Sequence, residues 1–198
     1  MKDLSLVNNH FVSSFRAFPF AIFFFMGLNL IIAPNKAVLY DFLVLLIGGG
    51  LSNLLVFKPV FKMIYNLYKK LVGVETLPFL GLGRRPDGAY GCSDFYICED
   101  IKNKKLSTSF GMPSGHSQIA WTFSMYYIFE LWKKKRFSFS QKTKVLQTIG
   151  LLIFSSIMSY LRVYVEGCHT LEQVIVGGLF GSFIGFLGSK YKSLFLKL

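Results

Sequence analysis

The stretch Phe110 to Trp121 reads FGMPSGHSQIAW and combines a histidine with a predicted helix start. Pro113 suits the first turn of a helix, Ser114 is a favoured N-cap residue, and an apolar run follows His116. Helix starts gather unpaired N–H groups and the positive end of the helix dipole, and Gly115 lets an anion approach the backbone. The stretch therefore predicts a phosphate site with a proton donor beside it. A capped helix carrying a histidine is the alternative.

Two other clusters carry residues that handle phosphate. Arg84 and Arg85 lie upstream, in Gly-Arg-Arg-Pro, and Arg162 and His169 lie downstream, in RVYVEGCH. A neutral imidazole can attack phosphorus and form a phosphohistidine, whereas a guanidinium binds phosphate oxygens bidentately. We therefore expect His169 to be the nucleophile, His116 the acid and base, and the arginines the anion clamps.

Together, the three clusters resemble the signature of the type 2 phosphatidic acid phosphatase superfamily. GMPSGHSQ before an aromatic-rich helix, and RVY followed by HTLEQVIVGG, are similar to its dolichyldiphosphatase branch. The resemblance covers residues 84–181, about half of the chain. It implies an all-α helical bundle that spans the membrane and has a fold like that of the vanadium haloperoxidases. It implies no cofactor for this chain. It also implies hydrolysis of dolichyl diphosphate to dolichyl phosphate and phosphate, which recycles a glycan carrier for protein glycosylation.

The chain departs from the superfamily pattern at three places. Pro78 stands where a lysine normally precedes the Arg-Pro pair, and Arg84 could replace that charge. Six residues separate Arg162 from His169 where five are usual. The usual aspartate four residues after the histidine is Gln173, whose carbonyl can accept an imidazole N–H, and Glu172 could supply the missing charge. A weakened enzyme, or a catalytically silent protein that binds a lipid phosphate, is therefore an alternative, as is a phosphatase of phosphatidate or another lipid monophosphate.

The composition indicates a membrane protein. Of the 198 residues, 53% are hydrophobic and 17% aromatic, and the mean hydropathy is +0.47. The net charge of +12 is distributed between apolar runs instead of along one helix face, which does not favour nucleic acid as a partner. The length predicts a single domain over residues 1–198.

Six apolar runs predict about six transmembrane helices, over residues 17–33, 42–57, 60–80, 115–132, 145–161 and 173–189. An even number places both termini on one side, together with the larger share of lysine and arginine, so that side is predicted to be cytoplasmic. All three clusters then fall on the lumenal face, near a polar loop over residues 81–112. The short runs suit a thin bilayer such as that of the endoplasmic reticulum.

Neither metal nor disulfide chemistry has a strong sequence signal. The chain has no carboxylate cluster of the kind that Mg²⁺ uses, so we expect no metal. Three cysteines occur without a zinc-binding spacing. Cys92 and Cys98 could form a disulfide in an oxidising lumen, or remain two free thiols.

Overall fold

Helices dominate the described part of the chain. The computed structural model describes residues 10–90, 92, 106–107, 109–133 and 139–197, with side chains from residue 14 onward. Its five helices are α1 (His10–Ile32), α2 (Lys36–Val72), α3 (Gly115–Trp132), α4 (Gln141–Val165) and α5 (Leu171–Phe195). A hairpin of β1 (Thr76–Leu77) and β2 (Gly81–Leu82) follows α2. The predicted all-α membrane bundle is confirmed.

Four of these helices, α1, α2, α4 and α5, are long and apolar enough to cross a bilayer. They fit an integral membrane protein. The remaining helix, α3, carries the polar residues Ser117, Gln118 and Thr122 on buried positions, because the other helices surround it.

Residues 42–80 do not form the two helices that the sequence predicts. The helix continues through Pro59 to Val72, because wider π-type turns over Val44–Leu51 and Asn53–Phe57 precede the proline. The N–H of Lys58 bonds the carbonyl of Asn53, five residues back. Wide turns relieve the clash that a proline ring makes in an ordinary α-helix. The helix then ends at Gly73, which has φ +76°, and residues 76–82 form the hairpin instead of a last helical turn.

Helices α3 and α5 pack with their backbones almost in contact. A Cβ added at Gly177 would lie 2.5 Å from the backbone oxygen of the α3 N-cap residue. A Cβ added at Gly181 or Gly185 would lie 2.3 or 2.8 Å, respectively, from a backbone oxygen of α3 itself. These three glycines recur every four residues and so line one face of α5. They bring the PSGH helix start directly against the first turn of α5, next to His169.

The two ends of the bundle carry different residues from those predicted. Arg16 of α1 bonds Glu166, just after α4, so α1 starts at the end that holds the motifs. Lys192 of α5 pairs with Asp41 of α2 at the other end. The described helices therefore begin and finish at opposite ends, and the prediction of two termini on one side is wrong for them. It fails because two predicted spans are one helix. Arg16 also lies on the motif side, which reduces the charge asymmetry on which that prediction rested.

Candidate active site

His169 is held in a defined tautomer by Gln173. Its Nδ1 lies 3.0 Å from Gln173 Oε1. The Gln173 amide group donates to the carbonyls of Leu82 at 2.8 Å and Arg84 at 2.7 Å, which fixes its nitrogen on that side and its oxygen towards His169. Since Oε1 can only accept, Nδ1 carries the proton and Nε2 keeps a lone pair. This is the contact that the four-residue spacing predicts.

Arg85 lies beside that lone pair. Its Nη1 is 3.1 Å from His169 Nε2 and donates to the Cys168 carbonyl at 3.0 Å. Its Nε donates to Ser109 Oγ at 2.8 Å. A phosphoryl group approaching His169 Nε2 would therefore meet the Arg85 guanidinium.

The surroundings keep His169 neutral. The side chain is buried, and burial lowers its pKa most, followed by the charges of Arg162 and Arg85. The Gln173 hydrogen bond raises the pKa, but the result lies well below the usual histidine value. A neutral imidazole is the form that can act as a nucleophile.

Arg162 presents an unused edge of its guanidinium. Nη1 pairs with Glu166 Oε2, whereas Nε and Nη2 are buried and have no hydrogen-bond partner among the described residues. Nε and Nη2 form the edge that can bind two oxygens at once. A buried charged donor left unpaired is costly, so this edge is suited to an anionic ligand.

Glu166 joins Arg162 to Arg16 of α1, and neither Arg16 nor Glu166 was expected in the site. Arg16 Nε bonds Glu166 Oε1 at 2.9 Å. Burial is the largest effect on the Glu166 pKa and raises it, but Arg162 and then Arg16 lower it, and the net pKa is below the usual value. The group is therefore a carboxylate at neutral pH.

The PSGH helix start completes the site. Ser114 occupies the predicted N-cap position, but its hydroxyl makes no cap bond, is buried and has no partner within the described chain. Pro113 precedes the helix and is not in its first turn. His116 Nε2 lies 3.1 Å from the backbone oxygen of Arg16, so Nε2 carries a proton. Gly115 lies close to Asn53 Oδ1, which a Cβ would approach to 3.3 Å.

Two predicted site residues lie elsewhere. The Arg84 side chain is 54% exposed and pairs with Glu75 at 3.3 Å and Asp87 at 2.8 Å, so it does not replace the missing lysine. Glu172 lies against Gly81, where its Cδ would be 3.2 Å from an added Cβ. The buried carboxylate beside the arginines is Glu166 instead.

Cys92 is bonded to Cys168, not to Cys98. The disulfide joins residues 76 apart, with their Cα atoms 5.5 Å apart, and Cys98 lies outside the described residues. It connects the loop that carries Arg85 to the residue before His169. The pairing that the sequence suggested is therefore wrong for Cys92.

A local change in helix geometry accommodates the extra residue between Arg162 and His169. The end of α4 widens into a π-type turn over Leu161–Val165, and the N–H of Glu166 bonds the Leu161 carbonyl at 2.8 Å. Gly167 then turns with φ +55°. The N–H of His169 returns to the Arg162 carbonyl at 3.2 Å, so the two residues stay together.

An apolar cavity of about 430 Å³ lies between α3, α4 and α5. Val163 and Val174 line it, one residue from Arg162 and Gln173, respectively. Its outer rim includes Tyr160, Leu171 and Leu179, which are exposed on the surface that would face lipid. Metal binding has no candidate, because no three His, Cys, Asp or Glu side chains are grouped suitably in the described part.

The structure is that of a helical membrane protein in which histidine and arginine side chains meet at one end of the bundle, and comparison with known families agrees. The model of the PAP2 superfamily matches residues 60–195, and the chain belongs to that superfamily.

Among curated proteins, the chain is similar to dolichyldiphosphatase 1 from Rhinolophus ferrumequinum and Mus musculus, each 35% identical over 82 residues. The human protein of the same name is 35% identical over 81 residues. These matches cover 38–39% of this chain and 34% of each relative, so the chain matches about a third of their length. No solved structure matches.

Proposed function

We propose that this chain is a membrane lipid phosphatase that hydrolyses an isoprenoid diphosphate, with dolichyl diphosphate as the substrate and dolichyl phosphate and phosphate as the products. One observation carries the proposal. The neutral His169 lies with its Nε2 beside Arg85, close to the buried, unpartnered edge of Arg162. A nucleophile and two guanidinium groups are the parts that phosphoryl transfer requires.

The reaction uses these positions in two steps. His169 Nε2 attacks the terminal phosphorus, and the bond from that phosphorus to the bridging oxygen breaks. His116 protonates the leaving lipid phosphate and then takes a proton from water. The resulting hydroxide attacks the phosphohistidine, releases phosphate and restores His169. Arg85, Arg162 and the Ser114 hydroxyl bind the phosphoryl oxygens throughout.

The apolar cavity supports a lipid substrate. Its lining includes Val163 and Val174, which adjoin Arg162 and Gln173 in the chain, and exposed residues of α4 and α5. A diphosphate in the site could therefore keep its hydrocarbon tail in the bilayer. The dolichyldiphosphatase relatives favour an isoprenoid tail.

The disulfide supports an extracytoplasmic site. Disulfides persist in oxidising compartments, and Cys92–Cys168 lies at the motif end of the bundle. We place this end in the lumen of the endoplasmic reticulum, where the reaction would serve protein glycosylation.

The test is phosphate release from dolichyl diphosphate by the purified protein in detergent with EDTA. We expect release that is lost in His169→Ala and in Arg85→Ala. Arg84→Ala is the matched control, because Arg84 is adjacent to Arg85 in the chain but lies on the surface. The rate of phosphate release by this variant should stay within about threefold of the wild type.

Competition with phosphatidate separates the substrates. Preference for phosphatidate would replace the proposed substrate with a lipid monophosphate. Hydrolysis of neither lipid would contradict the enzyme and favour a silent lipid-phosphate-binding protein, with Pro78 in place of the motif lysine as the first cause to test.

A further inference from the structure

We propose that Arg16 and Glu166 are positioning residues of this site, so that the first helix holds the phosphate-binding edge of Arg162 in place. The inference deepens the proposed function and rests on it. The chemistry assigned to the three motif clusters uses neither residue, although Glu166 lies within the third cluster. Arg16 lies 150 positions from Glu166 in the chain, yet the two form a buried ion pair.

Glu166 uses its two oxygens on two arginines. Oε1 accepts from Arg16 Nε at 2.9 Å, and Oε2 pairs with Arg162 Nη1. All three side chains are about 2% exposed. Ion pairs buried this deeply are screened little by water or salt, so they restrict geometry more than surface pairs do.

The pairing selects which edge of Arg162 remains for a ligand. Because Nη1 is held by Glu166, rotation of the guanidinium group is restricted. The two nitrogens left without a partner in the described structure, Nε and Nη2, are those of the bidentate edge. Without Glu166, Arg162 could turn another edge towards the phosphate and lose the two-oxygen geometry.

Arg16 also acts on His116 through its backbone. Its carbonyl accepts the Nε2 proton of His116 at 3.1 Å, which leaves Nδ1 as the nitrogen that exchanges a proton during the reaction. One residue of α1 is therefore tied to both the anion clamp and the proposed acid. A shift of α1 would disturb both together.

The pair also sets the charge of the site. Arg16, Arg85 and Arg162 bring three positive charges, and the Glu166 carboxylate removes one. Pro78 stands in place of the signature lysine and lies in an exposed hairpin turn. Arg16 thus brings a cation to the cluster from a different helix.

The test is a double-mutant cycle with Arg16→Met, Glu166→Gln and the double variant in detergent. Affinity for inorganic phosphate and kcat and KM for dolichyl diphosphate are measured, together with the thermal midpoint. Each single change should weaken phosphate binding by about 10-fold, and the double variant should be no worse than the weaker single variant, because coupled residues are not additive.

Arg16→Lys is the conservative variant. It keeps the cation and the backbone carbonyl, so phosphate affinity should recover to within about threefold of the wild type. Lys192→Met is the control for a broken buried ion pair, and it should lower the thermal midpoint without changing phosphate affinity.

Additive effects of the two changes on phosphate affinity would overturn the inference. So would single variants that lose only thermal stability while their phosphate affinity is unchanged. If the wild type binds phosphate but hydrolyses neither lipid, weaker phosphate binding in both single variants would still support the pair, while the proposed function would fail.

Discussion

The two ends of the helix bundle both bury charged side chains, but they satisfy them differently. At the end away from the motifs, Lys192 pairs with Asp41 and bonds Tyr126, and Glu130 accepts from Ser189 and Lys133. At the motif end, two nitrogens of Arg162 and the Ser114 hydroxyl have no partner within the described structure.

Burial alone therefore does not separate a structural charge from a functional one. The Lys192 cluster ties α2, α3 and α5 together with bonds made inside the protein, which is what a stabilising network needs. The Arg162 cluster leaves donors unfilled, which costs stability unless a ligand completes it. The first should matter for folding and the second for phosphate chemistry.

Arg162→Lys should have the largest effect. A lysine cannot offer two parallel N–H donors, so we expect kcat/KM for dolichyl diphosphate to fall about 10³-fold. The thermal midpoint in detergent should change little, because the lysine can still pair with Glu166. Activity within about threefold of the wild type would show that the unfilled edge has no catalytic role.

Lys192→Met should give the opposite result. It leaves Asp41 buried without its cation, which should lower the free energy of unfolding by about 3–5 kcal/mol. The kcat of the folded fraction should remain within about twofold of the wild type. Denaturant unfolding in detergent, followed beside the activity, checks both. Loss of kcat without loss of stability would contradict the division between the two ends.

Gly181→Ala tests whether the protein requires the close contact between α3 and α5 that connects the two ends of the bundle. The new Cβ would lie 2.3 Å from the Gln118 carbonyl, so α3 and α5 must separate, at a cost of about 1–3 kcal/mol. Gly150→Ala is the matched control, because an added Cβ there meets nothing within 4 Å. Its unfolding free energy should be unchanged or rise by up to about 1 kcal/mol. Equal effects of the two substitutions would remove the role of the close contact.

The pH dependence should show the smallest effect. The pKa of His169 is lowered in the folded protein, so the unfolded chain takes up a proton first as the pH falls through about 6.5. Stability is then lost progressively below that pH until the lower folded pKa is reached. His169→Asn should remove this part of the slope. An identical slope in both proteins, measured by thermal unfolding between about pH 7 and 5, would argue against a neutral His169.

Local features of the site could be predicted from the sequence. Ser114 and His116 start a helix because their own neighbours favour it, and Gln173 reaches His169 because residues four apart share a helix face. The convergence of Arg85 with these residues was expected from the resemblance and from the predicted spans, which placed all three clusters on one face. No periodicity in the sequence brings that loop to α5.

The contacts that were missed join distant segments. Arg16 directly precedes an apolar run, so it is typical of a residue at a membrane boundary, and its partner is 150 residues away. Glu166 lies in a turn whose shape depends on the π-type end of α4. The pairing of Cys92 likewise could not be chosen from three cysteines by spacing. An arginine beside an apolar run and a glutamate inside a basic motif were the only signals in the sequence.

The predicted division of residues 42–80 into two helices was wrong for a related reason. Lys58 and Pro59 break the apolar pattern, and a proline usually marks a helix boundary. The wide turns before Pro59 depend on how α2 packs, with Asn53 bonding Gln118 of α3 at 2.8 Å. Tertiary contacts therefore decide whether this proline ends the helix.

The π-type turn at the end of α4 also bears on how such chains change during evolution. An added residue normally rotates everything beyond it by about 100° around a helix axis, but a wider turn takes up the residue without that rotation. Insertion or deletion at this place thus changes the local helical pitch and leaves the orientation of α5 unchanged. Homologues could gain or lose a residue here while Arg162 and His169 stay together, and a search pattern with a fixed spacer would overlook some of them.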